Sequence, residues 1–149
     1  MIWRMTKDLR STLIAVALEW ERQYGVAPAI TSAISEYDAA TLVGCASDAY
    51  SATMRGKTAV SRGHDFIHNG LRYQVKANRP SGKRGSKVTL VPKPKNYDWD
   101  VLIWILYDPA WSIVEAWQWD CHKFQTFFEQ TPRLSPSHLR QGVRLFDTP

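Results

Sequence analysis

The spacing of apolar positions changes along this chain. Leu9, Leu13, Val16, Trp20 and Tyr24 recur at helical intervals and form one apolar stripe, predicting a first helix over about Thr6 to Tyr24. Gly25 and Pro28 close it. A second helix is expected from about Ser32 to Val43, with Ser32 or Ser35 near its start and Gly44 just past its end. Positions 45–62 are small and polar, suiting a short third helix followed by a loop. From His64 to Asn78 the pattern is that of a β-hairpin, because Asn69-Gly70 separates two strand-like runs and both positions of a type I′ turn need positive φ. Arg79 to Lys87, rich in Gly, Ser and Lys, reads as an exposed loop, and Val88 to Val91 as a short strand stopped by Pro92 and Pro94. Val101 to Tyr107 is apolar at every position, which suits a strand buried on both faces. A strand over Ser112 to Trp119, a helix over His122 to Gln130 and a shorter one over Ser135 to Gln141 complete the pattern. Helices, then strands, then helices around a buried central strand make an α/β or α+β sandwich, of which an α/β three-layer α/β/α arrangement around a mixed sheet is the expectation. A single domain is expected over 1–149, with an N-terminal helical part over 1–30 and a core over 32–146.

Composition narrows this little: 44% apolar and 22% charged residues exclude a disordered chain. The longest apolar run, Val101 to Tyr107, is far shorter than the roughly twenty residues of a membrane span, so no membrane partner is expected. Arg4, Lys7 and Arg10 ahead of Leu13 to Leu18 make only a weak signal-peptide pattern that runs into Glu19, Glu21 and Arg22. An unprocessed, cytoplasmic protein is the expectation. Cys45 and Cys121 form neither a metal-binding pair nor a disulfide framework, and both are expected reduced.

Charge becomes informative once it is located. The net charge is +5, yet Arg72 to Lys95 holds Arg72, Lys76, Arg79, Lys83, Arg84, Lys87, Lys93 and Lys95 and no acid, so the rest of the chain is mildly acidic. One basic segment on an acidic body attracts a polyanion, although a solvated loop accounts for the same charges.

The hairpin register places chemistry next to that segment. A two-residue turn at 69–70 pairs Phe66 with Tyr73 and Asp65 with Gln74. One face then carries His64, Phe66, His68, Leu71, Tyr73 and Val75, and the other Asp65, Ile67, Arg72, Gln74 and Lys76. A carboxylate and a carboxamide oxygen can share a Mg²⁺ ion, while an adjacent lysine can polarise a water or neutralise a phosphate. A cross-strand Asp–Lys pair with a bystander glutamine explains the same residues without chemistry.

Asp65 followed by Gln74-Val75-Lys76 resembles the D…(E/Q)xK signature of the PD-(D/E)XK nuclease superfamily, which includes restriction endonucleases, Holliday-junction resolvases and Mrr-like enzymes. His64 stands where the signature has proline, and Gln74 matches the variant of the Mrr-like branch. Glu36, in the helix ahead of the hairpin, occupies the place of the acidic residue that such helices contribute. The order of Glu36, the Asp65 hairpin, Trp99 to Ile103 and a closing segment from Leu134 to Phe146 is similar to that of small, uncharacterised bacterial and phage nuclease-like domains. The resemblance implies a restriction-endonuclease-like fold and a Mg²⁺- or Mn²⁺-dependent endonuclease cutting DNA, possible as a homodimer. It assigns Asp65 as principal metal ligand and Glu36 as a second ligand or water-positioning group. Gln74 replaces the usual second carboxylate, the Val75 backbone carbonyl is a further ligand, and Lys76 is the catalytic lysine. Arg72, Arg79, Lys83, Arg84 and Lys87 would grip phosphates at the rim, giving salt-sensitive binding. A neutral Gln74 also fits an inactive nucleic-acid-binding module of the same fold. A phage-type protein-interaction domain, with the basic loop docking an acidic partner, is the third alternative.

Other patterns are set aside. Gly56-Lys57-Thr58 ends like a phosphate-binding loop but has Ser51 where a glycine is required and no strand before it. His64 and His68 lie about 13 Å apart along a strand, too far for one zinc. The tryptophans read as core, with Trp117 and Trp119 sharing a strand face with Ile113, except Trp99 and Trp111 near strand ends, which are expected to be exposed.

Overall fold

The computed structural model describes residues 8–57 and 63–147. The expected helix start at Thr6, with Arg4 and Lys7, lies outside the described residues, as does Thr58. Helix α1 spans Leu9–Tyr24; its first turn is capped by the Asp8 carboxylate, which accepts from the Ser11 N–H at 3.1 Å. Gly25 ends it at φ 86°, a left-handed conformation that favours glycine. Helices α2 (Thr31–Leu42) and α3 (Ser47–Arg55) follow, close to their predicted places. Ala39 and Ala40 of α2 are fully buried, and their small side chains let the helix approach the sheet closely.

The hairpin forms in the predicted register. Strands β1 (Phe66–His68) and β2 (Leu71–Asn78) pair Phe66 with Tyr73 and Ile67 with Arg72, with Asn69 and Gly70 at φ 51° and 77° in the turn. After a long crossover, β3 (Val101–Tyr107) lies parallel to β2, from Tyr73 opposite Val101 to Asn78 opposite Leu106. Strands β4 (Ile113–Asp120) and β5 (Val143–Asp147) add antiparallel, separated in sequence by helices α4 (Cys121–Phe128) and α5 (Pro136–Leu139). The result is a mixed α/β architecture with a five-stranded mixed sheet ordered β1-β2-β3-β4-β5.

Strand alternation divides β3 between two cores, one on each face of the sheet. Ile103, Ile105 and Tyr107 join Phe66, Tyr73 and Val75 beneath Ile14 and Ala17 of α1 and Ile34, Ala39 and Ala40 of α2. Leu102 and Trp104 join Trp117, Trp119, Phe124, Phe128 and Leu139 on the other side. No helix among the described residues is long and apolar enough to cross a membrane. Both cysteines are free.

Four expectations need correction. The α1 stripe faces outward; Ile14 and Ala17, on the adjoining side of the helix, meet the core. Val88 to Val91 forms no strand, only a single bridge from Val91 to Leu134, because Pro92 and Pro94 interrupt the backbone donors. Trp99 and Trp111 are 1% exposed, their indole N–H groups donating to the Asn96 carbonyl and the Thr31 hydroxyl. Finally, a register shift between Leu106 and Tyr107 sets Ile113 on the first core, opposite to the face that simple alternation would have it share with Trp117 and Trp119.

Candidate active site

Asp65 sits where β1 begins. Its N–H donates to the Tyr73 carbonyl at 2.7 Å and prolongs the ladder by one residue. Its side chain then turns back on β2: Oδ2 accepts from the Val75 N–H at 2.7 Å and from Gln74 Nε2 at 3.0 Å. The carboxylate thus satisfies a strand-edge donor that β1 is too short to reach. Nothing among the described residues donates to Oδ1.

Glu36 comes from the second turn of α2. Burial, and then the nearby Asp65 carboxylate, push its carboxyl up to about 7, with Lys57 partly offsetting them. Asp65 is raised as well. Burial is the main cause, opposed by the Val75 hydrogen bond and by the positive fields of Lys57, Lys76 and His64. Tyr50 of α3 borders the same pair: burial, with Glu36 and Asp65 adding to it, pushes its phenol up to about 12. Three separate elements therefore hold two half-buried acids within each other's field, with lysines around them.

Lys57 is a group that sequence reasoning misses. Its ammonium donates to the Asp65 carbonyl at 3.1 Å and acts on both acids. Gly56 stops α3 just before it. A cation directly after a helix stop, a few residues upstream of the candidate acid, is the available signal. His64, set aside above as a zinc ligand with His68, keeps its Nδ1 buried beside Asp65 with no hydrogen-bond partner among the described residues.

Asp38, two residues after Glu36, belongs to the frame. It receives Arg10 through both oxygens at 2.6 and 2.8 Å and the Tyr107 hydroxyl at 2.6 Å, joining α1, α2 and β3. The expected phosphate-binding residues divide in the same way. Arg72 is paired at the surface with Asp100. Arg79 is turned into the protein, bonded to Glu21 at 2.8 Å with its guanidinium 3.9 Å from the centre of the Trp111 ring. Lys83 donates to the Gly25 carbonyl. The loop is thereby pinned to the end of α1, and its Arg84 and Lys87 are exposed without partners among the described residues.

The oxygen donors that could hold a hard cation are the Asp65 and Glu36 carboxylates, the Gln74 carboxamide oxygen and the Val75 carbonyl. Mg²⁺ accepts one or two carboxylates with the balance as water. No group of three His, Cys, Asp or Glu residues suited to a metal occurs among the described residues. With Gln74 Nε2 given to Asp65, only the amide oxygen of that side chain remains for a cation. No protein-family model matches this chain, and no curated protein is significantly similar to it.

Proposed function

We propose that the protein is a metal-dependent nuclease of the PD-(D/E)XK type, with the three-layer restriction-endonuclease-like arrangement, acting on DNA phosphodiesters. The observation that carries this reading is the buried Glu36–Asp65 pair beside Gln74, Lys76 and Lys57. Burial raises both acids and Asp65 raises Glu36 further, at a cost in stability that a cation between them would remove. Asp65, Glu36, the Gln74 carboxamide oxygen and the Val75 carbonyl would hold Mg²⁺ or Mn²⁺. Such an ion supplies a water of lowered pKa and neutralises charge on the scissile phosphate.

The chain's own groups have separable tasks. Lys76 gives a charge-assisted hydrogen bond to the attacking water or to a non-bridging phosphate oxygen. Glu36, beside Asp65 at the same site, is suited to hold the ion or to orient that water. Lys57 fixes the backbone of Asp65 and moderates both acids. Exposed Arg84 and Lys87 are left to attract the polyanion, a weaker grip than five cations would give.

A binding module without catalysis is the second reading, favoured by one contact: Gln74 donates to Asp65 where a second carboxylate would have added negative charge for a metal. The test is incubation with supercoiled plasmid, linear duplex and single-stranded DNA in Mg²⁺ or Mn²⁺. The wild type is expected to cut, and Lys76→Met and Asp65→Asn to abolish cutting. Salt-sensitive DNA binding without cleavage in either metal would replace the nuclease with the binding module. Absence of both would discard both readings.

A further inference from the structure

We propose that α1 is a self-association surface, pairing antiparallel with α1 of a second copy of this chain about a two-fold axis near Val16. The proposal does not depend on the nuclease reading. Helix α1 is apolar on two sides. Ile14 and Ala17 occupy the side that meets the core, whereas Leu9, Leu13, Val16, Trp20 and Tyr24 make an exposed stripe along the adjoining side. A helix apolar on both sides normally has both covered. The stripe residues are between 38% and 70% exposed.

Area separates this patch from ordinary surface. Residues of these sizes, exposed to these extents, present on the order of 600 Å², at the upper end of the roughly 300–600 Å² of the largest patch on a typical monomer. The same figure approaches the ~800 Å² per partner of a standard interface, which a polar rim would complete.

The pattern favours a copy of itself as occupant. The steps between stripe residues are four, three, four and four, close to the seam of a helix that packs lengthwise on another. Turned about a point between Val16 and Ala17, the stripe sets Leu13 against Trp20 and Leu9 against Tyr24, with Val16 beside its copy. The smaller side chain meets the larger one at each flanking step, as an isologous contact requires. Trp20 and Tyr24 already pack on each other, their ring centres 4.8 Å apart, and with Val16 they border a shallow groove that would receive Leu13.

Charge supports the same occupant. Glu19 and Arg22 pair on the exposed flank, and under this two-fold they lie level with Ile14 and Ser11 of the copy, so like charges do not oppose. The chain's own partners occupy Arg10 and Glu21, through Asp38 and Arg79. Acids along the flank and an engaged Arg10 are the wrong polar face for an anionic lipid surface.

The test is molecular mass by sedimentation equilibrium from about 1 to about 100 μM, a range that brackets micromolar affinities. The wild type is expected to reach twice the chain mass, and Val16→Glu and Trp20→Glu to weaken association at least about tenfold. Unfolding of each variant, measured at concentrations where the wild type is monomeric, is expected to be unchanged, which separates lost association from lost folding. A wild type that stays monomeric throughout would overturn the proposal and leave the stripe to residues 1–7 or to another protein. Dimers that survive both substitutions would overturn it too, placing the interface elsewhere.

Discussion

Replacing Glu36 with glutamine should stabilise this protein at alkaline pH, the reverse of what removing a useful ion pair would do. Glu36 rises from 4.5 to about 7 on folding, because burial and Asp65 both oppose its charge. A folded-state pKa above the unfolded one means that the charged form is penalised. The penalty is absent below about pH 4.5, grows as pH rises toward 7, and is complete above it. At 1.36 kcal/mol per pKa unit the gross cost is about 3 kcal/mol. The carboxyl is only half-buried, and solvent screening reduces the expected difference to roughly 1–2 kcal/mol. Urea unfolding followed by tryptophan fluorescence, without divalent ions, should show Glu36→Gln more stable than the wild type by that amount at pH 8. At pH 5 the gap should fall to a few tenths of a kcal/mol. Millimolar Mg²⁺ should then raise the stability of the wild type more than that of the variant, as expected for an ion that binds only the folded pair. A Glu36→Gln protein that is less stable at pH 8, or a gap of equal size at both pH values, would refute the reasoning.

Further substitutions test the roles assigned above. Arg79→Ala should cost about 2 kcal/mol in the same unfolding assay, because it strands Glu21 and uncovers Trp111. The double variant Arg84→Ala, Lys87→Ala should leave stability unchanged, while any DNA affinity falls and its logarithmic salt slope becomes shallower by about 2. Gly142→Ala should lower stability by about 1–3 kcal/mol, since a Cβ there would lie 2.6 Å from the Gln118 carbonyl and 2.5 Å from Trp119 Nε1. A Gly142→Ala variant that unfolds together with the wild type would show that β5 has room to shift.

The parts of the molecule legible in the sequence are those set by local rules. Asn69-Gly70 determines its own turn, and the turn sets a register that brings Asp65 beside Gln74. The unbroken apolar run of β3 similarly announces a strand between two cores. What stays hidden depends on distant partners. The α1 stripe has regular helical spacing, but period alone does not say which covering surface, if any, the chain supplies. Arg79 reads as a phosphate ligand until α1 brings Glu21 to it, some sixty residues away in sequence. Strand β5 escapes the pattern because Val143 to Asp147 is short and acquires its pairing only from β4. The place of Trp99 and Trp111 at strand ends points to the surface. Their indole groups instead find acceptors in the Asn96 backbone and in α2.

The bond from the Val75 N–H to Asp65 gives the two acids unequal standing over evolutionary time. Asp65 closes an open backbone donor at the sheet edge, so a descendant that had lost all chemistry would still be selected to keep an acceptor there. Glu36 has no such second employment: held half-buried against another acid, it weakens the fold, and drift would remove it soon after its use ended. Among relatives of this chain, an aspartate at position 65 would therefore say little about activity. On the proposed nuclease reading, a glutamate at position 36, retained together with Lys76, would mark the members in which the site works.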